Sequence, residues 1–184
     1  MAHYSGQVIV PIDSYEAFKN AVNGNSFDFD GVAGCQCVDL AKLINFNLGF
    51  SSPYWDTGNT GCAYGGWTVL TARVFNAGTQ YSLINDITMV KTGDMIVIDQ
   101  FSGNPYGHVG FADQDYNYTN NIRMLSQNNG GIPAPGGGTT VNIANYPITH
   151  FLGAFRLTRW QQGSTPTTSR FNWALYARKL RNKY

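Results

Sequence analysis

Glutamate is almost missing from this chain, and histidine and cysteine are scarce: the 184 residues include one glutamate, Glu16, with three histidines and three cysteines. Glycoside hydrolysis needs two carboxyl groups with separated pKa values, and nothing in the sequence supplies that pair. His3, His108 and His150 lack the spacing of a zinc-protease motif, so a metal hydrolase has no ligand set. No apolar run approaches the length of a membrane-spanning helix. Met1 to Pro11 shows no basic stretch followed by an apolar one, which leads us to expect no export signal.

Charge is also sparse, at 12% of residues, and it is unevenly placed. Residues 1–160 hold all 11 acids against 7 Lys and Arg, whereas residues 161–184 hold 5 Lys and Arg and no acid. An acidic body argues against a nucleic-acid partner, because affinity for phosphate backbones comes from clustered cations. What is present in quantity is 43% hydrophobic residues and 21 glycines, the composition of one folded, loop-rich domain. Three cysteines, Cys35, Cys37 and Cys62, cannot all pair within the chain, so a free thiol is expected.

Tyr15, Phe18 and Val22 recur at helical spacing behind Asp13 or Ser14, which predicts a short helix over 13–22. Leu40, Leu43, Ile44 and Leu48 share a second helical face, and that helix begins at or near Cys37. A third helix is expected over 67–76. Past Lys91 the pattern turns to short β-rich runs: 95–99, 108–113, 122–127, 139–144 and 152–157, separated by Gly, Pro and Asn. Helices first and strands afterwards indicate an α+β domain with an antiparallel sheet. Polar residues from Gln161 to Ser169 read as a linker, followed by a short basic segment.

Counting Asp28 as the first position of a loop places acids at positions 1, 3 and 12, namely Asp28, Asp30 and Asp39. This is the spacing of a calcium loop, in which carboxylates and the carbonyls of Val32 and Gly34 would surround a hard cation. Ala33 stands where an EF-hand takes Gly, and Asp39 where it takes Glu, so the loop is not a standard EF-hand. An Asx-turn loop with solvated acids is the competing reading.

Cys37 at the start of a helix lies where unpaired backbone N–H groups and the macrodipole favour a thiolate, and the same groups could hold an oxyanion. His108 opens an apolar strand after a turn, a place where an imidazole is held and partly exposed, whereas His3 lies near a terminus expected to fray. A third polar group should orient the imidazole from a neighbouring strand, and 126–129 (Ser-Gln-Asn-Asn) offers neutral side chains for this.

Together Asp28-x-Asp30-Gly31, Gly34-Cys35-Gln36-Cys37-Val38-Asp39-Leu40, Gly93-Asp94 and Gly107-His108-Val109-Gly110 resemble the CHAP amidases and peptidases, over residues 15–157. That resemblance implies a papain-like (NlpC/P60-type) α+β fold of five to six strands in a catalytic domain spanning 1–160. It implies Cys37 as nucleophile, His108 as base and Asn128 as orienting residue, with Gln36 and Tyr106 lining the substrate groove. Calcium would be held by Asp28, Asp30, Asp39 and the carbonyls of Val32 and Gly34. Ser126 stands where related phage enzymes often carry Glu; Asn129 or Asp113 are alternative helpers. Cys35 and Cys62 fit no role in this pattern. The implied partner is bacterial peptidoglycan, cut by a monomeric phage lysin released at lysis or carried on the virion. The 161–184 tail would contact anionic wall polymer or membrane, or pack on the body. A catalytically idle wall-binding or virion module and an intracellular cysteine protease are the competing classes.

Overall fold

Helix α1 spans Tyr15–Val22, and Ser14 caps it by accepting the Ala17 N–H at 3.1 Å. Its buried face is Tyr15, Phe18 and Val22, the residues that the spacing selected. Helix α2 spans Cys37–Asn47 and buries Leu40, Leu43 and Ile44. The computed structural model describes residues 1–50, 55–56, 62–69, 80–130 and 132–161. Residues 65–69 are helical, and the rest of the helix expected over 67–76 lies outside the described residues. So does the linker and basic segment after residue 161.

Among the described residues the strands are, in chain order, β1 (His3–Ser5), β2 (Ser26–Asp28), β3 (Tyr81–Ile84), β4 (Met95–Ile98), β5 (His108–Ala112), β6 (Asn121–Ser126), β7 (Asn142–Pro147) and β8 (Phe151–Leu157). Six of them form one antiparallel sheet in the order β3-β8-β4-β5-β6-β7. The α+β class expected from the sequence is therefore the one observed. Strand β7 begins three residues later than the run at 139–144 suggested, and β3 was not anticipated. Nor was β1, which pairs in parallel with β2, so His3 is not frayed: its Nδ1 lies 3.0 Å from Ser26 Oγ.

Strand β4 is buried along its whole length, and its alternation sorts the core into two faces. Met95 and Val97 point to the side covered by α1 and α2, with Val109, Phe111 and Phe155. Ile96 and Ile98 point to the other, with Ala112, Ile122, Met124 and Ala154. The Gly93-Asp94 turn locks one end of the sheet. Asp94, fully buried, takes a two-pronged ion pair from Arg156 at 2.9 and 2.8 Å, joining β4 to β8. Among the described residues no helix is long and apolar enough to cross a membrane.

Candidate active site

Strands β5 and β6 pair at Phe111–Leu125 and Ala112–Met124, and from Gly110 back to His108 no ladder pair joins them. Helix α2 packs against β5. Cys37, its first residue, is buried, and the backbone N–H of Val109, the residue after His108, is among the groups that favour its anion. Two glycines of the Gly-His-Val-Gly motif let β5 lie close to its neighbours β4 and β6. A Cβ on Gly107 would lie 2.5 Å from Ile98 O, and one on Gly110 would lie 2.6 Å from Ser126 Cβ. Gly110 thus lets Ser126 come in beside His108.

His108 is 3% exposed, so it is more enclosed than its place after a turn led us to expect. Its Nε2 lies 2.9 Å from Ser126 Oγ and 2.9 Å from the hydroxyl of Tyr146. The Tyr146 ring stacks on the imidazole with centroids 4.5 Å apart and 17° between planes. Asn129 donates to Ser126 Oγ at 2.8 Å, which extends the polar chain behind the ring. None of these groups is charged. Burial pushes the imidazole pKa down to about 3.

Asn128 does not take the orienting place assigned to it. It has φ +60° at the end of β6, and its amide donates to Gln36 Oε1 at 2.8 Å instead. Strand alternation would put Asn128 on the same face as Ser126, but β6 ends at Ser126 and the left-handed φ of Asn128 breaks that alternation. Asp113 is also placed elsewhere, just past the far end of β5, where it meets Tyr15 OH at 2.9 Å, Lys19 at 2.6 Å and Arg123 at 3.0 Å. Sequence reading missed Tyr146 altogether, because four strands, β3 to β6, lie between Cys37 and β7 among the described residues and no local pattern marks it. It also passed over Gln127. That fully buried side chain accepts from Phe27 N at 2.8 Å and donates to Phe27 O at 2.6 Å and Gln36 O at 3.0 Å. It ties β2 and the start of α2 to β6.

The thiol itself departs from expectation. N–H groups of Val109, Val38 and Cys37 favour the anion, but burial outweighs them and Asp39 adds to it, and the Cys37 pKa is pushed up to about 11. Position at a helix N-terminus is therefore not enough to make a standing thiolate here. Gln36 precedes the helix with its amide donating to Ala33 O at 2.6 Å, and Tyr106 is 65% exposed two residues before His108. Cys35 is buried away from this cluster, its sulfur 3.8 Å from His3 Nδ1.

Asp28, Asp30 and Asp39 do converge: one carboxylate oxygen from each lies within 4.8 Å of the others. Asp39 reaches back to the Gln36 N–H at 2.7 Å and takes the Phe29 N–H at 3.2 Å, so it also caps α2. Burial raises its pKa to about 7. Lys42 sits 2.5 Å from Asp30 Oδ2 and 4.0 Å from Asp39 Oδ1, supplying one positive charge to the cluster. Ala33, at the EF-hand glycine position, has φ +61°, the left-handed conformation that glycine would adopt more easily. An all-oxygen donor set with a buried carboxylate facing two others fits a hard divalent cation such as calcium.

No family model matches the chain. It is similar to the D-alanyl-L-alanine endopeptidase of Streptococcus phage B30, with 32% identity over 151 residues, 78% of this chain and 31% of the phage protein. The chain thus spans about a third of the length of that relative. Among solved structures it superposes on the wild-type endolysin LysIME-EF1 with a TM-score of 0.56 and 18% identity, covering 79% of this chain and 65% of the other. That likeness establishes a shared fold. The architecture is consistent with a papain-like fold.

Proposed function

We propose that the chain is a peptidoglycan hydrolase of phage type that cleaves an amide bond in the peptide part of the bacterial wall, with Cys37 as nucleophile and His108 as base. The observation that carries the reading is the packing of α2 against β5, which buries Cys37, the first residue of one, and His108, the first residue of the other, with the N–H of Val109 favouring the sulfur anion. The match to a phage endopeptidase supports the substrate class.

With the thiol at about 11 and the imidazole at about 3, both groups are neutral at pH 7. No thiolate–imidazolium pair is stored. Instead, Nδ1 of His108 takes the thiol proton as the sulfur attacks the carbonyl carbon, leaving a tetrahedral oxyanion beside the N-terminus of α2. The imidazolium then protonates the departing amine, the C–N bond breaks, and a thioester remains. Water, deprotonated by the same imidazole, releases the acid and restores the thiol. Gln36 and Tyr106 would border the groove that holds the peptide.

Calcium is the cation we assign to Asp28, Asp30 and Asp39, with the carbonyls of Val32 and Gly34 completing the set. When bound it would supply positive charge that offsets the buried Asp39 carboxylate and steadies the loop leading into Cys37. Wall clearing tests the main reading: purified protein should clear Gram-positive walls, and Cys37→Ala should remove clearing while leaving the circular dichroism spectrum unchanged. Clearing by that variant at the wild-type rate would exclude the thiol mechanism. Mass spectrometry of the released fragments distinguishes a muramoyl–alanine amidase from a stem or cross-bridge endopeptidase, and the phage relative's name favours the second.

A further inference from the structure

Histidine bases are commonly oriented by a carboxylate, but among the described residues the polar groups that meet the imidazole of His108 are hydroxyls. The groups at Nε2 are two hydroxyls, Ser126 Oγ and Tyr146 Oη, each at 2.9 Å. We propose that Tyr146, acting with Ser126, is the positioning residue that holds His108 with its proton on Nε2 and its free lone pair on Nδ1.

The donors and acceptors around Nε2 accommodate this assignment. The amide nitrogen of Asn129 can only donate, and it donates to Ser126 Oγ at 2.8 Å. One lone pair of that oxygen is therefore taken, and the second is free to accept the N–H of the imidazole. The phenol oxygen of Tyr146, 2.9 Å from the same nitrogen, can share that N–H as a second acceptor. A proton on Nε2 leaves Nδ1 unprotonated, the condition for a base acting on Cys37. The stacked phenol ring fixes the plane of the imidazole at the same time. Burial keeps the Tyr146 hydroxyl protonated, its pKa raised well above the ordinary tyrosine range. The partners that meet the imidazole and Ser126 here, Tyr146 and Asn129, are neutral side chains.

The idea rests on His108 being the base, and its test separates the two. In the full chain, Tyr146→Phe keeps the stacked ring and removes the hydroxyl. Two readings are taken: kcat and KM on soluble wall fragments, and the ¹⁵N shifts of the His108 imidazole, which report the tautomer whatever the substrate proves to be. Wild type should show the Nε2–H tautomer. The variant should lose about tenfold in kcat at unchanged KM and show a mixed tautomer, while its melting temperature stays close to that of wild type. A dominant Nδ1–H tautomer in wild type would overturn the proposal, as would a variant with unaltered kcat, or one with lowered kcat and an unaltered tautomer. Should Tyr146→Phe fail to fold, Ser126→Ala removes the other hydroxyl and is judged by the same two readings. Lack of any wall cleavage by wild type, with the tautomer shift intact, would count against the hydrolase reading alone.

Discussion

Replacing Gln127 with Met removes three buried hydrogen bonds with little change of volume, and we expect it to cost a large share of the stability of the domain. Gln127 is 0% exposed and bonds both backbone polar groups of Phe27, itself 2% exposed, together with the carbonyl of Gln36. Leaving a buried donor or acceptor unpaired costs about 1–3 kcal/mol each. Gln36 is half-buried and water can partly replace its bond, so two full penalties and a smaller third sum to roughly 3–6 kcal/mol. Against a typical total of about 5–15 kcal/mol, that is a severe loss. Urea unfolding at pH 7 measures it: with a slope of about 1–3 kcal/mol per molar, the midpoint should fall by at least about 1 M at unchanged slope. Because the same side chain anchors the residue before Cys37, activity should also decline at urea concentrations below the unfolding transition. A midpoint within about 0.3 M of wild type would refute the argument, since it would mean that Phe27 N–H and C=O find other partners.

Other outcomes follow from the same geometry. Burial holds His108 neutral in the fold, with a pKa of about 3 against 6.5 in the unfolded chain, so its contribution to stability is complete above pH 6.5 and is lost as pH falls toward 3. Each unit of that depression corresponds to about 1.4 kcal/mol. Denaturant titrations between pH 7 and 4 should show a shallower acid decline for His108→Gln than for wild type, and parallel curves would contradict this. Calcium titrated into the protein should release heat and raise the melting temperature, and Asp30→Asn should weaken both effects; equal affinity in the variant would remove Asp30 from the ligand set. Ala33→Gly should stabilise the metal-free protein by up to about 1 kcal/mol, because it relieves the left-handed backbone at φ +61°. Ser14→Ala should cost about 1 kcal/mol through loss of the α1 cap, read as a drop in unfolding midpoint.

Local order was legible in the residues themselves. The spacing of Tyr15, Phe18 and Val22, and of Leu40, Leu43 and Ile44, determined two helices and their buried faces, because helical periodicity is a property of neighbours along the chain. The acids at 28, 30 and 39 could be grouped for the same reason: a tight loop leaves them few ways to stay apart. The glycine-flanked strand that opens at His108 could likewise be read from its pattern. Which group would stand behind the imidazole could not. That depended on how β5, β6 and β7 register, on Gly110 admitting Ser126, and on Asn128 twisting outward while Tyr146 arrived from a strand 38 residues further on. Protonation was decided at the same level. A helix N-terminus by itself favours a thiolate, yet the depth at which the tertiary fold buries Cys37 reverses that preference, because desolvating a charge outweighs a few N–H dipoles.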